Sequence, residues 1–337
     1  MQKIIDYLTQ YKLDIDPVIE EVFSEIEEHA QTISPITLDA AKKYHAFMLG
    51  GKKHRGALTV FGHELVTGDY NKEILKASLA IEITHAFALI HDDVMDQDAV
   101  RRGKPTIHTQ YEETYKNTYN NEINIHYAES MAYTLGDFGA YLGQLLLNKL
   151  DLPAERKSEA ITHYVSKIME VTYGQMLDVT IGMEDTPTEE DIRLIHRYKT
   201  GDYSGSLPMM IGAMLAGAQQ EVLDAMYEYG WRIGTAYQFR DDEIGLFNET
   251  DEIGKPAGSD VRQNKNTILK VKAIQNANEN DKNFLKKAYG NPNLTEDQLE
   301  KVRTITVDTG AFDYSRSICR KYIEESKEFI PHITNDK

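Results

Sequence analysis

Apolar residues recur at helical spacing along most of the chain, and short alternating runs of the strand type are scarce. This pattern predicts long helices at residues 71–98, 128–149, 155–182, 189–218 and 220–247. In the first of them, residues 79–90 (LAIEITHAFALI) are apolar almost all round, which is typical of a buried helix. Asn71 is expected as its N-cap, with Glu73 in the first turn. The pattern therefore predicts an all-α fold.

Breaks in the helical pattern predict the loops and the domain organisation. The expected loops are residues 49–54, 103–124 and 249–265. Gly201, Gly205 and Pro208 interrupt the helix at 189–218, so a kink is expected near Thr200. Because no Pro/Ser-rich linker divides the chain, we expect residues 1–337 to form a single-domain bundle of long helices.

Composition and charge narrow the class of protein. A hydrophobic content of 41% supports a sizeable core, and the net charge of −17 argues against a nucleic-acid-binding protein. Any anionic ligand must then be captured by local cations or by a metal. Cys319 is the only cysteine, so no intramolecular disulfide is possible, as is typical of an intracellular protein. The N-terminal residues contain no signal-peptide core. No uncharged run approaches the length of a membrane span, so we expect a soluble, cytoplasmic protein.

Two acidic clusters stand near the ends of long apolar helices, in LIHDDVMD (89–96) and YQFRDDEIG (237–245). Asp92 and Asp96 are one turn apart and share a helix face, whereas Asp93 is rotated by about 100°. Like charges at this spacing cost roughly 0.2–0.5 kcal/mol per pair, so a bound cation would explain them. The alternative is a solvated acidic helix end. Oxygen ligands of this kind suit Mg²⁺, which typically takes one or two carboxylates together with phosphate oxygens.

His85 lies seven residues before Asp92, about 20° off the same stripe and about 10 Å lower, where a second anion could be held. The alternative is a satisfied core histidine. Zinc is disfavoured, because His85 and His91 are not at i,i+4 spacing and the cysteine is distant in sequence.

Basic residues occur in four segments that could bind anions. These segments are GGKKHRG (50–56), RRGKP (101–105), YKTGDYS (198–204) and GKPAGSDVRQNK (254–265). Arginine guanidinium groups can grip phosphate oxygens bidentately. Any one segment could be ordinary surface, but four of them in a chain of charge −17 suggest two anionic groups bound close together.

The ordered set GGKxxR, DDxxD, RRG, KTG, QxRDD and GKPxGSD resembles the trans (head-to-tail) isoprenyl diphosphate synthases, over about residues 50 to 265. The pattern is closest to geranylgeranyl diphosphate synthases. The resemblance implies an all-α homodimer of long helices around a central apolar cavity. It also implies the small-molecule substrates isopentenyl diphosphate and an allylic diphosphate, and a trio of Mg²⁺ ions per active site. It implies no nucleic-acid partner and no stable membrane insertion.

The resemblance also implies residue roles, position by position. Mg²⁺ is held by Asp92, Asp96 and Asp241, with Asp93 and Asp242 in support. Contacts with the allylic diphosphate are implied for Arg101, Lys199, Thr200, Gln238, Lys255 and, nearby, Lys265. Contacts with isopentenyl diphosphate are implied for Lys52, Arg55, His85 and Arg102. The catalytic set is Asp92, Asp93, Asp96, Arg101, Lys199, Asp241, Asp242 and Lys255, and Gln175 and Asp178 match a segment that faces the metal.

In the implied reaction, metal and cations stabilise the departing diphosphate and an allylic cation forms. The isopentenyl double bond attacks this cation, a proton is lost, and the chain grows by one isoprene unit inside dry apolar walls. The sequence departs from the family pattern at Gly56, Ala128 and Gly245, where proline, glycine and aspartate are common. Gly56 is expected to loosen its loop slightly. None of these departures removes a group that the chemistry requires.

An aromatic residue five positions before the first cluster resembles enzymes that stop at geranylgeranyl diphosphate, and here it is Phe87. A ring that projects into the cavity would block the growing tail. Phe87 falls about 140° from the Asp92 stripe, so an ordinary core role and farnesyl or longer products stay open.

Other functions remain as alternatives. A class I terpene cyclase also uses an Asp-rich cluster and Mg²⁺, but it would leave GGKxxR and RRG unexplained. A non-catalytic synthase subunit commonly lacks an aspartate cluster, and this chain keeps both. A purely structural helical protein would not be stabilised by Mg²⁺ with a diphosphate.

Overall fold

The computed structural model describes residues 2–119, 123–184, 187–248 and 258–334, most of which lie in α-helices. The predicted all-α fold is confirmed. The chain divides into two compact units, of which one contains Met1–Thr162 with Ile211–Ala218. The other contains His163–Met210 with Gln219–Lys337. The single domain expected over residues 1–337 stays a prediction.

The first unit is organised around one buried helix. Its elements are α1 (Gln2–Ile33), α2 (Pro35–Met48), α3 (His54–Thr67), α4 (Lys72–Met95), β1 (Val100–Arg101), β2 (Lys104–Pro105), α5 (Ile107–Thr118) and α6 (Ile125–Lys149). Helix α4 packs against α1, α2, α3, α5 and α6. Leu79, Ile81 and Ile83 on α4 are completely buried, as the apolar run predicts. The core of this unit therefore fixes the position of the helix that ends in the first acidic cluster.

The second unit carries the other acidic cluster on α10. Its elements, of which α7 and α9 begin or end in the first unit, are α7 (Ala154–Gly182), α8 (Glu189–Ile195), a π-helix (His196–Ser206), α9 (Leu207–Ala216), α10 (Gln220–Phe247), α11 (Ser259–Arg262), α12 (Ile268–Asn276), α13 (Glu279–Ala288), α14 (Glu296–Asp308), α15 (Ala311–Lys327) and α16 (Ile330–Ile333). Phe239 of α10 is fully buried in a core with Ile192, Ile268 and Ile318. The π-helix and α15 also pack against α10.

Most of the predicted helices are confirmed. The helix expected at 71–98 is α4, and Asn71 caps it by accepting from the amides of Glu73 and Ile74. The helices expected at 128–149, 155–182 and 220–247 correspond to α6, α7 and α10.

Three predictions differ from the structure. The prediction of a loop at 103–124 is wrong, because this segment contains the two-residue strand β2 and, after it, helix α5. The helix expected at 189–218 is divided into α8, the π-helix and α9, and the kink expected near Thr200 corresponds to the π-helix. Of the loop expected at 249–265, residues 249–257 lie outside the described residues, and the rest contains the short helix α11, which the prediction missed.

Helix α4 is long and apolar enough to cross a membrane by length and composition alone. However, 67% of its most apolar window is buried inside the protein. Burial of this extent is typical of the core helix of a soluble protein.

Candidate active site

The first acidic cluster occupies the C-terminal turn of α4. Asp96 is the C-cap residue, and its amide donates to the carbonyl oxygen of Asp92, so the two side chains follow each other along the helix. Asp92 is partly exposed and Asp96 is exposed, whereas Asp93 is completely buried. The partial negative charge of the helix C-terminus adds to that of these carboxylates, which favours a cation at this position.

Arg101 is held among three aspartates. Its Nε donates to Asp93 Oδ1 at 2.5 Å, and its second terminal nitrogen lies 3.7 Å from Asp92 Oδ2 and 3.8 Å from Asp98 Oδ2. Burial raises the pKa of Asp93 to about 6, although Arg101 acts in the opposite direction. Asp93 therefore contacts the arginine rather than solvent, and Arg101 is fixed beside Asp92.

A tight hairpin separates the two neighbouring arginines. Strand β1 pairs antiparallel with β2, and the turn between them contains Arg102 and Gly103, both with positive φ. The guanidinium group of Arg102 lies 5.5 Å from the centre of the Phe47 ring. A Cβ at Gly51 would come within 2.7 Å of this group, so Arg102 lies directly against the glycine loop. The turn thus directs Arg101 to the aspartates and Arg102 to the other basic segment.

Arg55 and His85 form the centre of the basic cluster in the first unit. The terminal nitrogen of Arg55 lies 3.0 Å from His85 Nε2. Burial, reinforced by the charge of Arg55, lowers the pKa of His85 well below its ordinary value. The imidazole is therefore neutral and accepts from Arg55 at Nε2, which places its proton on Nδ1. Arg102 is close enough that burial, Arg101 and Arg55 together lower its pKa.

Asp242 is the buried member of the second cluster and has two polar partners. Gln238 Nε2 donates to Asp242 Oδ1 at 2.9 Å, and His196 Nε2 lies 3.1 Å from Asp242 Oδ2. Thr200 Oγ1 donates to Gln238 Oε1 at 3.0 Å. Burial alone would raise the pKa of Asp242, but His196 and Lys265 lower it. The carboxylate is therefore ionised and firmly oriented, while the adjacent Asp241 is exposed.

Glycines allow the π-helix to lie directly against α10. A Cβ at Gly205 would overlap the carbonyl oxygen of Gly230, and a Cβ at Gly234 would overlap that of Gly201. This contact brings one face of the π-helix, including Thr200, to the side chains of α10. Because π-helical segments occur frequently at functional sites, this irregular turn is consistent with a binding role for Lys199 and Thr200.

Lys199 and Lys265 both lie among carboxylates of the second unit. Lys199 Nζ donates to Asp178 Oδ2 at 2.5 Å. The pKa of Lys265 is raised well above its ordinary value by the charge of Asp260, against the effect of burial and with smaller contributions from other aspartates. Those aspartates are Asp242, Asp178 and Asp241. Lys265 is therefore fully charged, and Lys199 is paired with a carboxylate.

The remaining predicted site residues are placed as follows. Phe87 is half-buried on α4, Gln175 is half-buried on α7, and Lys52 is exposed before α3. Lys255 lies outside the described residues. In the first unit the structure brings together Asp92, Asp93 and Arg101, and separately Arg55, His85 and Arg102. In the second it brings together Thr200, Gln238 and Asp242, with Lys265 near the aspartates.

Sequence reasoning missed two contributors to these clusters. His196 pairs with Asp242, and its only sequence signal is its position one turn before Thr200. Asp260 is the carboxylate that raises the pKa of Lys265 most. A Cβ at Gly245 would lie 2.5 Å from the Oδ2 atom of Asp260. The carboxylate of Asp260 thus occupies space beside the glycine that ends the second cluster, which no spacing rule indicates.

Comparison with known proteins matches the chain to one family. The family described as Polyprenyl synthetase matches residues 38–306. The chain belongs to the polyprenyl synthetase family. Its members condense isopentenyl diphosphate with allylic diphosphates, and this synthase is accordingly a trans-prenyltransferase.

Individual relatives support the same conclusion. A geranylgeranyl diphosphate synthase of Sulfolobus acidocaldarius is 31% identical over 295 residues, which cover 87% of this chain and 83% of the relative. A geranylfarnesyl diphosphate synthase of Aeropyrum pernix is 29% identical and covers 90% of this chain and 89% of its own. The crystal structure of a Corynebacterium glutamicum geranylgeranyl pyrophosphate synthase, complexed with isoprenyl diphosphate and magnesium, superposes with a TM-score of 0.91 at 26% identity, covering 96% of this chain and 93% of the other. Like its relatives, this synthase is a soluble enzyme.

Proposed function

We propose that this synthase makes geranylgeranyl diphosphate, with Phe87 limiting the growth of the product. The observation that carries the proposal is the half-buried ring of Phe87 on α4, five residues before Asp92 and held against His91. The names of several relatives agree with this product. A geranylfarnesyl diphosphate synthase among the relatives favours a longer product as the second candidate.

We further propose that the enzyme uses Mg²⁺ bound by Asp92, Asp96 and Asp241. Within the described parts of the chain, no three His, Cys, Asp or Glu side chains are placed to hold a metal by themselves. This fits Mg²⁺, which takes one or two carboxylates and completes its shell with water and phosphate oxygens. The Corynebacterium glutamicum structure contains magnesium with isoprenyl diphosphate. When bound, Mg²⁺ supplies charge stabilisation to the leaving diphosphate.

The chain's own cations divide between the two substrates in this proposal. Those assigned to the allylic diphosphate are Arg101, Lys199, Thr200, Gln238, Lys255 and Lys265, and those assigned to isopentenyl diphosphate are Lys52, Arg55, His85 and Arg102. The orientation of Arg101 by Asp93 and of Gln238 by Thr200 supports the first set. Neutral His85 supports the second, because its Nδ1–H can donate to an anion while Nε2 remains with Arg55.

The bond changes follow from these assignments. The carbon–oxygen bond of the allylic diphosphate breaks, and its electron pair leaves with the diphosphate that Arg101 and Lys199 stabilise. The double bond of isopentenyl diphosphate supplies the electrons of the new carbon–carbon bond. Loss of a proton from the adduct restores a double bond, and the departing diphosphate accepts this proton. Apolar residues around the tail exclude water, which would otherwise trap the cation as an alcohol.

Assembly and location are proposed from the family pattern. We place the enzyme in the cytoplasm as a homodimer, with residues 1–337 acting as one catalytic domain around an apolar cavity. The single cysteine supports the location.

Incubation of the purified chain with isopentenyl diphosphate, Mg²⁺ and C5, C10 or C15 allylic diphosphates tests the proposal. We expect geranylgeranyl diphosphate as the main product and no reaction when Mg²⁺ is chelated. Asp92→Asn and Asp241→Asn should each abolish turnover, whereas Asp137→Asn, on the exposed surface of α6, should retain it. Hydrocarbon products formed without isopentenyl diphosphate would instead identify a terpene cyclase. A main product longer than C20 would contradict the product assignment alone.

A further inference from the structure

Glu82 is a buried carboxylate that none of the assigned roles uses. It lies on α4 with only 7% of its surface exposed, three residues before His85. Its Oε1 accepts the amide N–H of Gly56 at 2.7 Å. Residues three apart on a helix share a face, so Glu82 and His85 both point towards the start of α3. A carboxylate this deeply buried is costly unless it has polar partners, and here the partner belongs to the basic segment.

The Gly56 amide is a helix N-terminal donor that lacks an acceptor in its own helix. Helix α3 begins at His54, directly after Lys53, which has a positive φ and makes no side-chain capping bond. The first N–H groups of a helix have no intrahelical partner. Glu82 supplies the missing acceptor from another helix. A long-range contact thus replaces a local N-cap.

The same turn of α3 carries Arg55. Arg55 contacts His85 at 3.0 Å while the next residue, Gly56, is bound to Glu82 at 2.7 Å. These two adjacent contacts fasten the start of α3 to one face of α4. If the Glu82 contact were lost, only the Arg55–His85 contact of this pair would remain to hold the turn on α4.

The Glu82 carboxyl group also lies near three basic residues. Arg55, Lys53 and Arg102 each influence its carboxylate, in the direction that keeps it ionised. Burial acts against ionisation and raises the pKa of Glu82 overall. The cations of this cluster therefore lie around the same carboxylate that accepts from the Gly56 amide.

Gly56 leaves room for a close contact with helix α1. A Cβ at Gly56 would overlap the hydroxyl oxygen of Tyr11 on α1, which lies 2.9 Å from Ser78 Oγ on α4. Lys53 Nζ is 3.8 Å from Asp16 of the same helix. Helix α1 lies outside the residues matched by the family, 38–306. Gly56 therefore does not loosen a loop as expected from the sequence: it is buried in a first helical turn and contacts two helices.

We propose that Glu82 is a positioning residue that sets the geometry of Arg55 and its neighbours for isopentenyl diphosphate, acting through the amide of Gly56. The inference rests on the proposed assignment of Arg55, His85 and Arg102 to that substrate. Glu82 touches no substrate itself. Its effect should therefore fall on the binding of one substrate and leave the other unchanged.

Three substitutions at one position separate the hydrogen bond from the charge. Glu82→Gln keeps an oxygen acceptor at the same reach, Glu82→Met keeps the length without an acceptor, and Glu82→Asp keeps the charge but withdraws the acceptor. We expect Glu82→Met and Glu82→Asp to raise KM for isopentenyl diphosphate about tenfold or more, equivalent to the loss of one good hydrogen bond. KM for the allylic diphosphate should stay within about twofold, and Glu82→Gln should stay close to wild type. Glu28→Ala, on the exposed face of α1, is the control.

The outcomes are distinguishable from a failure of the proposed function. If the wild-type enzyme and Glu28→Ala do not condense the two substrates, the assigned activity fails before Glu82 is considered. If they do, equal increases in both KM values, or a Glu82→Met enzyme indistinguishable from wild type, would overturn the positioning role. Should Glu82→Met not fold, as judged by circular dichroism, the comparison of Glu82→Asp with Glu82→Gln decides. Equal KM values for those two variants would then refute the hydrogen bond as the cause.

Discussion

The ring of Phe87 meets the imidazole of His91 edge-on, with the ring centroids 5.3 Å apart and the planes at 89°. His91 is held in turn by α6, because its Nε2 donates to the carbonyl oxygen of Tyr133 at 3.0 Å. A Cβ at Gly136 would overlap His91 Nε2, so the imidazole fills the space that this glycine leaves. Phe87 is therefore supported by a ring that is itself fixed.

Removing either ring should lengthen the product. We expect Phe87→Ala to shift the main product beyond C20, because the barrier to the tail is gone. His91→Ala should shift part of the product in the same direction, since the unsupported Phe87 ring can rotate. The measurement is chromatography of the dephosphorylated products. Phe61→Ala, which removes a partly exposed ring on α3, is the control, and an unchanged profile in Phe87→Ala would refute its role as the barrier.

The glycine contact between the π-helix and α10 should tolerate no side chain. In Gly205→Ala, the added methyl would overlap the backbone of Gly230, and two backbones must move apart. We expect a loss of about 1–3 kcal/mol in the free energy of unfolding, with weaker allylic diphosphate binding as Thr200 leaves Gln238. Denaturant titration measures the first effect. Gly182→Ala, at a glycine with open space around its Cβ position, should be neutral, and equal stabilities of the two variants would contradict the packing argument.

His163 should make stability depend on pH. Burial lowers its pKa to about 4, with Lys167 acting in the same direction and Glu170 against it. The unfolded chain, with an ordinary pKa near 6.5, binds the proton first, so stability is lost as the pH falls from about 6.5 towards about 4. This group should contribute about 1–2 kcal/mol of destabilisation between pH 7 and pH 5. Urea titrations of wild type and His163→Gln at both values measure it, and an equal loss in both proteins would exclude His163 as the cause.

His196 should matter through Asp242. In His196→Ala the buried carboxylate loses the partner 3.1 Å from its Oδ2 and keeps Gln238 at Oδ1. We expect the free energy of unfolding to fall by about 1–3 kcal/mol. We also expect a higher KM for the allylic diphosphate, because Gln238 then donates to an aspartate that is less firmly oriented. His332→Ala removes an exposed histidine and should change neither quantity. A His196→Ala enzyme with both values unaltered would show that Gln238 alone orients Asp242.

Helix α4 shows how much local sequence can establish. Its apolar run, its Asn71 cap and the aspartates at its end are readable from residue types and spacing, and all three are found in the structure. Helix α5 shows the limit. Its sequence is mostly polar, and it becomes a helix where Ile107 and Tyr111 are buried in the unit that contains α6, with Tyr111 edge-on to Tyr127. Such stabilisation comes from residues far along the chain, which periodicity does not register.

The order of its acidic and basic segments and the length of its apolar helices determined the all-α class and the family of this protein. Tertiary structure alone decided that Arg101 lies among three aspartates, that His196 orients Asp242, and that Glu82 caps a helix without a local cap. The reason is physical. Residue type and spacing specify which groups share a helix face, whereas the partners of buried charges are chosen by how separate helices pack, because a buried charge must find a polar partner wherever the fold brings one.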